Sequence, residues 1–133
     1  MKQKTLKIVY WSVTVIFCLV NLFSGFAELF PNQSAFDIMT LLGYPFYLLI
    51  ILGIAKILGA IAIIQTRFKT IKEWAYAGFS IDYLGASMSW YFVGGDVFGI
   101  LMPFVFLAVM FVSYYFWKKV EKHETYTLYF MSK

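Results

Sequence analysis

The chain has 133 residues, of which 62% are hydrophobic, 22% aromatic and only 14% charged. Soluble domains are roughly one-quarter charged, so this balance excludes an ordinary soluble fold and, with a strongly positive mean hydropathy, predicts an integral membrane protein. The net charge of +4 is carried by short clusters of lysine and arginine between apolar runs, which is a topology pattern, and no nucleic-acid partner is expected.

A spanning helix needs about 20 largely apolar residues. Segments of about 8–30, 46–65, 74–93 and 97–117 satisfy this. The first is too long in its apolar stretch for a cleavable signal, and Glu28, Leu29, Phe30 and Pro31 follow it instead of a small-residue cleavage pattern, so it is expected to persist. The connection PNQSAFDIMTLLGYP then places Ser34 and Asp37 at capping-box spacing, Gly43 where a helix can end left-handed, and Pro45 where it suits the first turn of the next helix. These signals predict a short interfacial helix over about 34–42, either a connector in the headgroups or a lid over one mouth of the bundle.

Basic residues set the expected orientation. Lys2, Lys4 and Lys7 precede the first span, Arg67, Lys69 and Lys72 lie between the second and third, and Lys118, Lys119 and Lys122 follow the fourth. The positive-inside rule places these segments, both termini and the tail 118–133 in the cytoplasm. Tyr10, Trp11, Tyr76, Trp90 and Trp117 near the proposed span ends fit interfacial aromatic belts. The predicted fold is all-α: an integral membrane four-helix bundle forming a single domain over 1–133.

Three spans carry polar groups at membrane depth. Lys56 stands in the middle of FYLLIILGIAKILGAIAIIQ, and Asp82 on the third span reaches nearly the same depth, which makes the two natural partners. Asn21, Ser24 and Glu28 share a face of the first span, and Gly78, Asp82, Gly85 and Ser89 share a face of the third. Gly53 and Gly59 on the second span add small residues that let helix backbones approach. Glu28, Lys56 and Asp82, with Asn21, Ser24 and Ser89, are therefore the candidate site, and Gly53, Gly59, Gly78 and Gly85 the candidate packing positions. Two readings stand side by side: interhelical glue, or the floor and rim of an outward pocket that holds a polar headgroup or passes a proton. Tyr83 and Trp90 are candidate lining aromatics. The fourth span carries no comparable polar face apart from Ser113 and a kink-prone Pro103, so it is expected to pack from the side.

Cofactor chemistry is narrowed by what the sequence omits. Its one cysteine, Cys18, provides neither a dithiol nor an iron–sulfur ligand set, and its one histidine, His123, lies in the tail, so neither haem nor a metal is expected. There is no phosphate loop and no serine-nucleophile motif.

The succession KTLKIVYW (4–11), FSGFAELF (23–30), LGYPFYLL (42–49), LGIAKILGAIAI (52–63) and KEWAYAGFSIDYLGASMS (72–89) resembles the DoxX-like family of small four-helix membrane proteins. The resemblance extends over about 4–117 and includes Glu28, Lys56 and Asp82 in order. It implies a bacterial cytoplasmic membrane location and a family whose name derives from a membrane subunit associated with thiosulfate:quinone oxidoreduction. Relatives include accessory proteins of redox-enzyme maturation and an animal chaperone of receptor assembly. Two functions follow as expectations. One is a redox-associated accessory subunit that binds a quinone or similar lipid-soluble molecule between the first three spans. The other is a non-enzymatic assembly or scaffold protein for a partner membrane protein. The expected partners are membrane lipid, a membrane or redox protein, and a second copy of the chain.

Overall fold

The computed structural model describes residues 2–132, and nearly all of them are helical. Five helices follow in order: α1 Gln3–Leu29, α2 Gln33–Leu42, α3 Tyr47–Ile64, α4 Lys69–Phe92 and α5 Val97–Met131. Among the described residues, α1, α3 and α5 are long and apolar enough to cross a membrane. At 24 residues α4 has the length but is the least apolar of the long helices, because Lys69, Lys72, Glu73 and Asp82 interrupt its apolar residues.

The short helix expected over 34–42 is α2, with a different start. Its N-cap is Asn32, whose side chain accepts the Ala35 N–H at 3.0 Å, while the expected cap Ser34 lies inside the helix. Asn at the N-cap satisfies a backbone donor that the first turn leaves orphaned. Gln33 donates to Asp37 on the next turn. Gly43 ends the helix at φ 78°, in the left-handed region, as expected. Pro45 stands just before α3 and accepts from the Leu48 N–H.

The four long helices alternate in direction and close a ring in which α1 and α4 each pack on both α3 and α5. The α1–α3 seam is the tightest. A side-chain carbon at Gly53 would stand 2.7 Å from the Gly25 carbonyl oxygen, and one at Gly25 would stand 2.9 Å from that of Gly53. Backbone oxygens cannot swing aside, so both positions require glycine for this approach. Farther along the seam the Cys18 thiol donates to the Ala60 carbonyl at 3.6 Å, and both residues are fully buried. Phe17, Phe79, Tyr83 and Phe106 fill the middle of the ring with edge-on and stacked aromatic contacts.

Several expectations change here. α5 does not lie to one side but closes the ring, and Ser113 explains how. Its fully buried hydroxyl bonds Thr14 of α1 at 2.6 Å and Tyr76 of α4 at 2.7 Å, tying three helices at one point. Tyr10, Tyr76 and Trp117 are buried in the core and pack against other helices instead of facing outward. The last helix also continues unbroken past Trp117 to Met131 and carries Pro103 in its second turn, where the proline removes the N–H that would otherwise bond the Gly99 carbonyl. Gly78 and Gly85 do not mediate a helix contact, since nothing lies within 4 Å of where their side chains would begin. The buried face of α4 is instead Lys72, Tyr76, Phe79, Tyr83 and Ser87.

Candidate functional site

Lys56 lies nine residues into α3, about 14 Å along its axis. Side chains in a helix lean toward its N-terminus, which carries the lysine toward the end of the ring where α1 finishes. There the Lys56 ammonium donates to Glu28 Oε1 at 2.5 Å and to Ser24 Oγ at 3.2 Å. The pair is mostly enclosed, the side chains being 15% and 19% exposed. This revises the expected partnership: Lys56 is bound to Glu28, and Asp82 makes neither a hydrogen bond nor an ion pair with any described residue. The glycine seam is the cause, because the contact of Gly25 with Gly53 brings the next turn of α1, bearing Glu28, over Lys56.

The second carboxylate oxygen of Glu28 is buried and has no hydrogen-bond partner among the described residues. Glu28, Lys56 and Asp82 all line one cavity of about 530 Å³. Asn21, Ser24, Tyr83 and Trp90 contribute to its wall, Ile38, Met39 and Leu42 of α2 close one side, and Asp96 stands on another. Asn21 is a fixed part of that wall: it donates to the Phe17 carbonyl at 2.8 Å and accepts from the Tyr83 hydroxyl at 2.7 Å. Ser89 lies apart from this lining. It donates to the Gly85 carbonyl at 2.8 Å and is hydrogen-bonded to the Tyr44 hydroxyl, linking α4 to the segment before α3.

Chemically, the cavity is a mostly apolar chamber with a few charged and polar groups in its wall. Its charged groups are one lysine and three carboxylates, Glu28, Asp82 and Asp96. Asp96 is committed to capping α5, where it accepts the Gly99 N–H at 3.0 Å. Lys56 can donate to a ligand oxygen, and the free oxygen of Glu28 and the carboxylate of Asp82 can accept from a ligand hydroxyl. No group of three or more His, Cys, Asp or Glu among the described residues is placed to hold a metal ion.

The α2 contribution is visible in the sequence only as a lid alternative, and Asp96, in the short connection before α5, is not singled out there. A second charged assembly, at the opposite end, was not anticipated at all. Lys72, in the first turn of α4 and only 2% exposed, donates to the Tyr10 hydroxyl, and its ammonium stands 4.8 Å from the ring centres of Tyr10 and Trp117. Burial pushes it down to about 8. Nearby, Lys118 hydrogen-bonds Glu73, which holds that ammonium above its usual value. Lys7 pairs with Glu124 at 3.4 Å and Lys69 with Glu121 at 3.6 Å, so the start of α1, the start of α4 and the extension of α5 meet at this end.

A model described as the DoxX-like family matches residues 12–113. No curated protein and no solved structure matches the chain.

Proposed function

The chain belongs to the DoxX-like family, and on that premise we propose that it is a redox-associated membrane subunit that holds a lipid-soluble molecule with a polar head, of the quinone or quinol class, in the cavity between α1, α3 and α4. One observation carries this reading: a carboxylate oxygen of Glu28 is buried beside a 530 Å³ cavity with no donor supplied by the described residues. An unsatisfied buried acceptor costs free energy, and a hydroxyl on a ligand head would relieve it. A cavity of this size lies within the range of small-molecule sites.

In this reading Lys56 donates to a head oxygen, Glu28 and Asp82 accept from hydroxyls or exchange protons with them, and Tyr83 and Trp90 flank the ring. The membrane arrangement that accompanies it has α4 as a fourth span, the basic end in the cytoplasm, and α2 at the outer surface as a lid. The whole chain forms one membrane domain of a bacterial cytoplasmic membrane. The C-terminal turns of α5 favour the scaffold role as a second reading, because Leu128, Phe130 and Met131 there are largely exposed apolar residues on a helix that outruns its neighbours.

Native mass spectrometry of protein gently extracted from its own membranes tests the first reading. A discrete small molecule bound to wild type and lost from folded Lys56→Met and Asp82→Asn supports it. Bulk lipid alone on all three chains turns the function toward the scaffold role.

A further inference from the structure

Lys56 and Asp82 line a second space besides the cavity just described. On the outer face of α3 and α4 a groove of about 460 Å³ runs between the two helices, and Leu52, Lys56 and Asp82 belong both to it and to the inner cavity. The two polar residues therefore stand at a junction, with a chamber on one side and a groove on the other.

The groove has the chemistry of a hydrocarbon channel. Ala55, Gly59, Ala62, Ala75 and Gly78 give it small walls, and the Phe79 ring closes its back, 2.8 Å from where a side chain at Gly59 would begin. Its rim is formed by Leu58, Trp74 and Ile81, which are 61%, 71% and 72% exposed. Large apolar side chains with such exposure face lipid in a membrane protein, so the groove opens sideways into the bilayer. Gly78 keeps it open, with nothing within 4 Å of the position a side chain would take. Asp82, at the inner end, has no hydrogen-bond or ion-pair partner among the described residues. A carboxylate is a poor terminus for hydrocarbon alone and a good one for a hydroxyl.

We propose that the ligand reaches the cavity laterally from the bilayer, through the groove between α3 and α4, and keeps its hydrocarbon tail there while its head rests between Lys56, Glu28 and Asp82. The inference rests on the ligand reading above and adds the route, the seat of the tail and the charge of the head. Three carboxylates face one lysine around the chamber, so an anionic head such as a phosphate meets like charge. The ligand is accordingly a neutral ring bearing carbonyl or hydroxyl groups on a long apolar chain, which separates it from the phospholipids around it.

The test uses the full chain in nanodiscs of zwitterionic lipid, titrated with two probes: a benzoquinol carrying a decyl tail, and the same head carrying only a methyl group. Wild type is compared with Gly78→Leu, which fills the groove, with Gly85→Leu, which adds the same side chain to open space on the same helix outside it, and with Lys56→Met. The expected result is that Gly78→Leu weakens the decyl probe at least tenfold and leaves the methyl probe unchanged, Gly85→Leu changes neither, and Lys56→Met weakens both. Unchanged decyl binding in Gly78→Leu, alongside loss in Lys56→Met, overturns the lateral route and leaves the cavity reading standing. Equal losses in Gly78→Leu and Gly85→Leu, or an equal loss of both probes in Gly78→Leu, also overturn it. If wild type binds neither probe, or Lys56→Met binds both as wild type does, the cavity reading fails and the route fails with it.

Discussion

Lys56 of α3 donates to Glu28 of α1 at 2.5 Å, while Asp82, at nearly the same depth on α4, stays out of ion-pair contact with both. Removing one member of an enclosed pair strands the other, which costs more than the pair itself contributes. Lys56→Met and Glu28→Gln are each expected to destabilise the protein by about 1–3 kcal/mol, between the values for interhelical polar contacts and for broken buried pairs. The double variant is expected to lose clearly less than the sum. A double-mutant cycle by unfolding in mixed micelles checks this, and a larger coupling of Lys56 with Asp82 than with Glu28 would reverse the assignment.

The glycines separate into two kinds with opposite expected responses. Gly53→Ala forces a side-chain carbon toward the Gly25 carbonyl and should push α1 and α3 apart, with a marked loss of thermal stability. Gly85→Ala meets open space, so the gain in helix propensity, about 1 kcal/mol, is expected to be neutral or stabilising. Thermal midpoints of the two variants provide the comparison, and similar losses in both would contradict it.

Ser113 ties α1, α4 and α5 through two hydrogen bonds. Ser113→Ala keeps the volume nearly constant and removes both, so a loss of about 1–2 kcal/mol is expected. Thr14→Val, which removes only one of the two, is expected to lose less. Unfolding of the two variants under identical conditions decides the order.

At the opposite end, Lys72 has its ordinary value of 10.5 lowered to about 8 by burial. Below pH 8 both the folded and unfolded chains hold this proton, and the penalty of burying the charge is felt in full. Between about 8 and 10.5 the folded chain has released the proton and the unfolded chain has not, so stability from this group rises with pH. Lys118 is shifted the other way, and its contribution is lost only above 10.5. The thermal midpoint of wild type should therefore gain on that of Lys72→Met as pH rises from 7.5 to 9.5, and a gap that stays constant would contradict the assignment.

Much of this arrangement could be read from residue types. The long apolar runs, the αL glycine at position 43 and the polar residues inside α1, α3 and α4 announce an all-α membrane protein with a polar interior. The pairing could not be read, because depth along the axis places Lys56 opposite Asp82, whereas contact also depends on which way side chains lean and which backbones touch. The lean of Lys56 toward the start of α3, and the Gly25–Gly53 contact, select Glu28. Ser113 was obscure for a related reason: one hydroxyl in an apolar run carries no periodic signal, yet it lies where three helices meet. Tyr10, Tyr76 and Trp117 have the composition of an interfacial belt, and only the packing of α5 across α1 and α4 buries them.

The most direct measurement of the central claim is photolabelling of the membrane-embedded protein with an azido-substituted benzoquinone carrying a short alkyl tail, followed by peptide mapping. Label is expected on the cavity wall, chiefly at residues 38–42 of α2 and at Tyr83 to Trp90 of α4, displaced by unlabelled quinol and lost in Lys56→Met. Label spread over outward residues such as Ile16, Phe23 and Val105, indifferent to competitor and to Lys56→Met, would contradict it.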